Sequence, residues 1–254
     1  MKEHAMNQEL SGKVALVTGG SRGIGAGLAA ALAARGADIA ISYLSAHDKA
    51  TAVTDALKAH GVRARAFCVD QSDPAAAAPL VASVIEHFGR LDILVNNAGI
   101  SSRQEVGAET DIPALDRIWA VNAVGVVATI RAAARVMTTG GRIITIGSGA
   151  GTRSGLTGLA DYSGSKAAVA GYTRGAAHDL GPRGITVNLI ESGFMATELG
   201  ESIPESIRAM LVANLAIKRF GVLDEIAAAV TFLASPSASY ITGATLAVDG
   251  GFAA

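Results

Sequence analysis

Tyr162-Ser163-Gly164-Ser165-Lys166 sets a phenol and an ammonium four residues apart. On the helix that this segment opens, the two side chains share one face. A cation beside a phenol favours the phenolate and lowers its pKa from about 10 toward neutrality, which makes Tyr162 an acid/base. Chance produces such a pair often enough that it carries little weight alone. Ser148 closes the segment Ile146-Gly147-Ser148. Its hydroxyl would donate to a substrate oxygen or, as turn serines commonly do, to nearby backbone. Asn122 lies in the apolar helical stretch Ile118 to Ile130. A buried amide there needs partners, and a bridge that merely ties structure together is as good a reading as a role in chemistry.

A second group of residues suits a phosphate. Thr18-Gly19-Gly20-Ser21-Arg22-Gly23-Ile24-Gly25 follows a short apolar run and precedes small and apolar residues at helical spacing. Glycines in a strand-to-helix turn let the backbone approach an anion, which the free amides of the helix N-terminus stabilise. The spacing of Gly19, Gly23 and Gly25 is not the usual dinucleotide pattern, and a plain glycine-rich loop explains it equally well. Asp70 and Asn96-Asn97-Ala98-Gly99 end two later apolar runs. Asp70 there would accept a hydrogen bond from an adenine amino group. Each segment alone reads as turn residues, but three at the ends of strands of one sheet favour a dinucleotide.

These residues need a scaffold, and the hydrophobic pattern supplies one. Val14 to Val17 reads as a strand and Ile24 to Ala34 as the helix after it. The alternation repeats, with strands expected at Asp38 to Tyr43, Ala64 to Val69, Leu91 to Val95, Arg142 to Ile146, Ile185 to Ile190 and Thr245 to Val248. Uninterrupted apolar strands between helices imply an α/β fold: one doubly wound, Rossmann-like domain, with a parallel sheet covered on both faces. The whole chain, 1–254, is expected to be that domain, with 1–10 as a flexible extension and 195–220, including Glu198, Glu201 and Glu205, as a lid over the substrate.

Composition excludes several alternatives. Of 254 residues 50% are hydrophobic and only 17% charged, enough for a large core and too apolar for general disorder. The net charge of -1, with no basic block, argues against nucleic acid. The single cysteine, Cys68, cannot form an intrachain disulfide, and the polar start has no signal-peptide core. A cytoplasmic setting is therefore expected. The uncharged stretch Ile226 to Val248 is broken by Ser235-Pro236-Ser237 and reads as a helix followed by a strand rather than a membrane span. The five histidines are scattered without metal-ligand spacing.

Taken together, the glycine loop, Asp70, Asn96-Asn97-Ala98-Gly99 and the ordered set Asn122, Ser148, Tyr162 and Lys166 resemble the short-chain dehydrogenase/reductase family over nearly the whole chain. The resemblance implies hydride transfer between a nicotinamide dinucleotide and a carbonyl or alcohol. Tyr162 would supply the proton, and Lys166 would lower its pKa and hold the nicotinamide ribose. Ser148 would polarise the carbonyl, and Asn122 would support a water-linked proton relay. Gly19, Ser21, Arg22, Gly23, Ile24, Gly25, Asp70, Asn97, Ala98, Gly99, Tyr162, Lys166, Gly193 and Thr197 would contact the cofactor, Thr197 through the carboxamide. Two departures stand out. Ser148 precedes Tyr162 by 14 residues rather than the more usual 13, and Ser192-Gly193 replaces the common Pro-Gly. A homotetramer pairing the helices that carry Asn122 and Tyr162 is implied as well, and Ala132 to Ala134 and Ala167 to Ala170 are small enough for close packing, within the monomer or between copies.

An NAD-specific enzyme places Asp or Glu at the end of the second strand to bind the ribose. Here that end reads Ile41-Ser42-Tyr43-Leu44-Ser45, with no carboxylate to repel a 2′-phosphate. Arg22, Ser42 and Ser45 offer a charge and two hydroxyls, which favours NADP over NAD. The expectation is an NADPH-dependent reductase of a small ketone or aldehyde. A 3-oxoacyl-[acyl-carrier-protein] reductase is the near alternative, and a non-enzymatic dinucleotide-binding regulator the distant one. Carrier-dependent relatives place arginines just before the Ser148 strand and on the Tyr162 helix. Those places read Met137-Thr138-Thr139-Gly140 and His178-Asp179, with Arg142 and Arg174 nearby as possible substitutes.

Overall fold

The computed structural model describes residues 8–109, 111–153, 156–197 and 203–254. Val14–Val17 (β1) is a run of four apolar residues, too short for a helix and buried along its length. Gly23–Ala34 (α1), Asp38–Tyr43 (β2), His47–Lys58 (α2), Ala64–Cys68 (β3), Ala77–Phe88 (α3) and Ile93–Asn96 (β4) complete the first half of the sheet. The second half contains Ile112–Trp119 (α4), Gly125–Val136 (α5), Arg142–Ser148 (β5), Ala160–Leu180 (α6), Thr186–Ser192 (β6), Glu205–Ala213 (α7), Leu223–Ala234 (α8) and Thr245–Val248 (β7). All seven strands pair in parallel in the order β3-β2-β1-β4-β5-β6-β7.

The sheet is doubly wound because its strands are apolar on both sides. In β1, Ala15 and Val17 pack in the core that α1 and α8 cover, whereas Val14 and Leu16 pack in the core beneath α3, α5 and α6. Each of these larger side chains gains about 1.5–3 kcal/mol on full burial, so a one-residue slip of β1 would exchange its two faces. The chain order reverses between β1 and β4, the switch point at which doubly wound sheets form a ligand crevice.

Three expectations need correction. Strand boundaries moved by one or two residues: β5 runs on to Ser148 and β6 to Ser192, in mutual register. The helical stretch expected around Asn122 is interrupted by a π turn, Ala120–Val124, in which Gly125 N bonds to Ala120 O five residues back. Gly125 is needed because a Cβ would lie 2.0 Å from Gln71 O. Leu10, assigned to a flexible extension, is 1% exposed and donates its N–H to Arg35 O, whereas residues 1–7 lie outside the described residues. The reading of Ile226 to Val248 as a helix and then a strand holds. By length and composition Ile112–Val136 also suffices to cross a membrane, but 56% of its most apolar window is buried inside the fold, where it forms core helices.

Candidate active site

The crevice between β1 and β4 is braced from within. Thr18 Oγ1 accepts from Asn97 N and Ala98 N, both at 3.0 Å, and Asn97 Nδ2 donates to Thr18 O at 2.9 Å and Gly19 O at 3.1 Å. The Asn-Asn-Ala-Gly segment is thereby the support of the glycine loop. A Cβ at Gly25 would lie 2.3 Å from Gly19 O, and Gly19, at φ +66°, sits against Ala98, so neither position admits a side chain. Gly23 differs: its φ of +54° requires glycine while nothing lies within 4 Å of its Cβ position. That is the cradle a phosphate needs. No side chain caps the N-terminus of α1, so its first amides are left for an anion.

Around the cradle, Ser21 and Ile24 are partly exposed, and Arg22 is exposed, with no ion pair among the described residues. Ser45 is exposed just beyond β2, whereas Ser42 is 3% exposed inside the strand. No carboxylate lies in β2 beyond Asp38, at its opposite end. Asp70 accepts from Ser72 N and Ser72 Oγ and lies 3.3 Å from the Arg117 guanidinium. The serine hydrogen bonds, followed by Arg117, hold its carboxyl below the usual range. A carboxylate has about four acceptor positions, so one remains for an amino group. These features fit a dinucleotide that carries an extra phosphate.

Helix α6 presents Tyr162 and Lys166 on one face, as their spacing requires. Lys166 is buried and donates through Nζ to Ile146 O at 2.9 Å, with Nζ 6.0 Å from the centre of the Tyr162 ring. Burial lowers its pKa to about 8. Burial pushes the Tyr162 phenol above its ordinary value, and a hydrogen bond with Ser148 pulls part of the way back. The expected lowering by Lys166 is therefore corrected: desolvation wins, and Tyr162 holds its proton at neutral pH. Ser148 closes β5, and its Oγ also accepts from Ala150 N at 3.2 Å.

Asn122 is fully buried and its amide is spent on structure. Oδ1 accepts from Ile100 N at 2.9 Å, while Nδ2 donates to Ile100 O at 2.8 Å and Ser165 Oγ at 3.2 Å. The amide joins the loop after Gly99 to α6. A Cβ on Gly99 would lie 3.4 Å from both Asn122 Oδ1 and Lys166 Nζ, so these three segments converge. Gly193 N bonds to Val248 O, and a Cβ there would lie 2.5 Å from Asp249 Cα. With β6 paired through Ser192, the backbone holds its course without the proline. Thr197 follows a bridge between Met195 and Gly221; Glu198 and Glu201 lie outside the described residues.

Sequence reading missed Thr18 and Ser165. Both are fully buried, and only their tertiary partners reveal them. A cavity of about 310 Å³ is lined by residues such as Phe194, Met195, Arg219, Glu225 and Asp249, and by none of Asn122, Ser148, Tyr162 and Lys166.

A family model described as Enoyl-(Acyl carrier protein) reductase matches residues 19–253. Versicolorin reductase 1 of Aspergillus parasiticus is 38% identical, over 96% of this chain and 98% of its own. The 3-oxoacyl-[acyl-carrier-protein] reductase FabG of Escherichia coli is 40% identical, over 94% and 97%. Among solved structures, a short chain dehydrogenase from Burkholderia cenocepacia J2315 in complex with NADP is 43% identical, with a TM-score of 0.93 over 97% of this chain and 100% of that one.

Proposed function

The chain belongs to the short-chain dehydrogenase/reductase family, and on that premise we propose that it is an NADPH-dependent reductase of small ketones or aldehydes. The convergence of Ser148, Tyr162 and Lys166 at the crevice that the glycine loop opens carries the reading. NADPH supplies the hydride. Ser148 donates a hydrogen bond to the carbonyl oxygen, and Tyr162, protonated at neutral pH, delivers its proton there. Lys166 favours the phenolate that this leaves and holds the cofactor ribose. Asn122 keeps Ile100 and Ser165 in place, and the segment 203–220 with its neighbours screens the site from water.

The cofactor is NADPH rather than NADH. The supporting features are the exposed Arg22 guanidinium, without an ion pair among the described residues, the exposed Ser45 and a second strand that ends without a carboxylate. Replacing Arg22 by Ala is expected to raise the apparent KM for NADPH about tenfold and to leave that for NADH nearly unchanged, because only NADPH offers a phosphate to a guanidinium. Equal effects on both would remove Arg22 from this role.

Between a free carbonyl and a carrier-bound chain, Arg142 supports the former. The residue is 7% exposed and its guanidinium is bound to Gly140 O, Gly141 O and Ser235 O rather than offered to an acidic carrier. Arg174 alone is exposed. A free ketone or short 3-oxo ester should be reduced at least as efficiently as a carrier-bound 3-oxoacyl chain, with weak salt dependence. A ~100-fold preference for the carrier-bound chain that collapses in salt would establish the alternative. No NADPH oxidation with a broad carbonyl panel would instead leave a dinucleotide-binding regulator.

A homotetramer and a cytoplasmic location complete the proposal. Val124, Val136 and the α6 residues Ala167 and Ala168 are exposed, as are Tyr240, Phe232 and Leu246 around the edge strand β7. Two apolar faces of this kind favour two sets of self-contacts. Ala132 and Ala133, by contrast, are buried within the monomer. Light scattering at micromolar concentration should give four times the mass of 25.5 kDa, and a single-chain mass would refute the tetramer.

A further inference from the structure

The loop after Ser148 is where this chain departs from the common spacing, and side chains with no part in the proposed chemistry hold it. Thr152 Oγ1 donates to Glu191, a carboxylate buried in β6. Arg153 Nη1 donates to the main-chain oxygens of Phe252 and Ala254, both at 3.1 Å. Asp249 shapes that last segment by accepting from Gly251 N and Ala253 N, each at 2.9 Å.

Phe252 reaches in two directions. On one side its ring lies so near Gly149, the neighbour of Ser148, that a Cβ there would sit 2.9 Å from Cδ1. On the other it packs edge-on against Phe194 at 5.3 Å, and Phe194 stacks on Phe220 at 5.5 Å. Arg208 of α7 lies 4.9 Å over the Phe220 ring, and Leu156, Ile207, Leu211 and Leu215 belong to the same apolar cluster. The Phe252 ring thus connects the backbone beside Ser148 to the cluster under 203–220.

We propose that Arg153 and Phe252 are positioning residues that couple the loop after Ser148 to the segment 203–220. Arg153 fixes the segment bearing Phe252 against the loop, and the ring transmits to Gly149 any ordering of α7 over a substrate. A Ser148 hydroxyl displaced by a fraction of an ångström no longer aims at the carbonyl oxygen, so the coupling acts on turnover rather than on cofactor binding. The inference rests on the reductase reading for its kinetic arm only.

The test compares Arg153→Ala, Phe252→Ala and Phe252→Leu with the unmodified chain by steady-state kinetics, NADPH fluorescence titration and hydrogen exchange. Arg153→Ala and Phe252→Ala are expected to lower kcat about tenfold while NADPH affinity stays within about twofold. Both should speed exchange in 149–153 and in 203–220 alike, and Phe252→Leu, which keeps most of the apolar volume, should restore most of both readouts. Faster exchange confined to 249–254 with unchanged kcat would overturn the proposal, as would parallel loss of NADPH binding. If Phe252→Ala does not fold, Arg153→Ala and Phe252→Leu decide. Should the unmodified chain reduce no carbonyl, the reductase reading falls, and joint or separate exchange in the two segments still settles the coupling.

Discussion

Replacing Tyr162 by Phe is expected to lower turnover by at least ~100-fold, the usual contribution of a positioned general acid, with NADPH affinity nearly unchanged. The substitution removes one oxygen and keeps the ring, so α6 and the contact between the ring and Lys166 persist. The effect is confined to proton delivery because burial raises the pKa of the phenol, which favours its protonated form, and because Ser148 already hydrogen-bonds with it. The Gly23 cradle and the uncapped amides of α1, to which the cofactor phosphates are assigned, lie on another element. Kinetics beside a fluorescence titration separate the two. Near-normal turnover would remove Tyr162 from its role.

Lys166→Met should have the second large effect, and its two consequences run in opposite directions. Turnover should fall by at least ~100-fold, because the phenolate formed at Tyr162 loses its cation. NADPH affinity should fall too, since the same ammonium is assigned to the ribose. Loss of turnover with intact binding would leave only the first task. Stability, measured without cofactor, should rise. The Lys166 ammonium is held by one carbonyl in a buried place and loses its proton at about pH 8. The unfolded chain keeps that proton to about pH 10.4, so below pH 8 folding carries a penalty of at most about 3 kcal/mol. Between these values the unfolded state binds more protons, and the stability of the unmodified protein rises with pH. The advantage of Lys166→Met in thermal or urea unfolding is therefore full at neutral pH and disappears toward pH 10.4. An equal advantage at every pH would show that packing rather than charge is responsible.

The amino-acid order by itself determined most of the scaffold. β1, β2 and β7 are legible because each is a short apolar run between turn residues, and their ends agree with the pattern to the residue. The phase of α6 follows from the four-residue spacing of Tyr162 and Lys166, which no packing can alter without breaking the helix. The glycines are legible because their need is local: a positive φ at Gly19 and Gly23, and no room for a Cβ at Gly25.

Other features depend on groups far apart in the chain. The π turn at Asn122 forms where Gly125 meets Gln71, so helical periodicity alone could not reveal it. Arg142 resembles a surface charge in the sequence and is instead enclosed by two neighbouring carbonyls and that of Ser235, 93 residues away. The Tyr162 phenol illustrates the division most directly. Sequence determined which cation stands beside it, but the sign of its pKa shift depends on how much water the surrounding elements exclude, and tertiary packing decided that in favour of the protonated form.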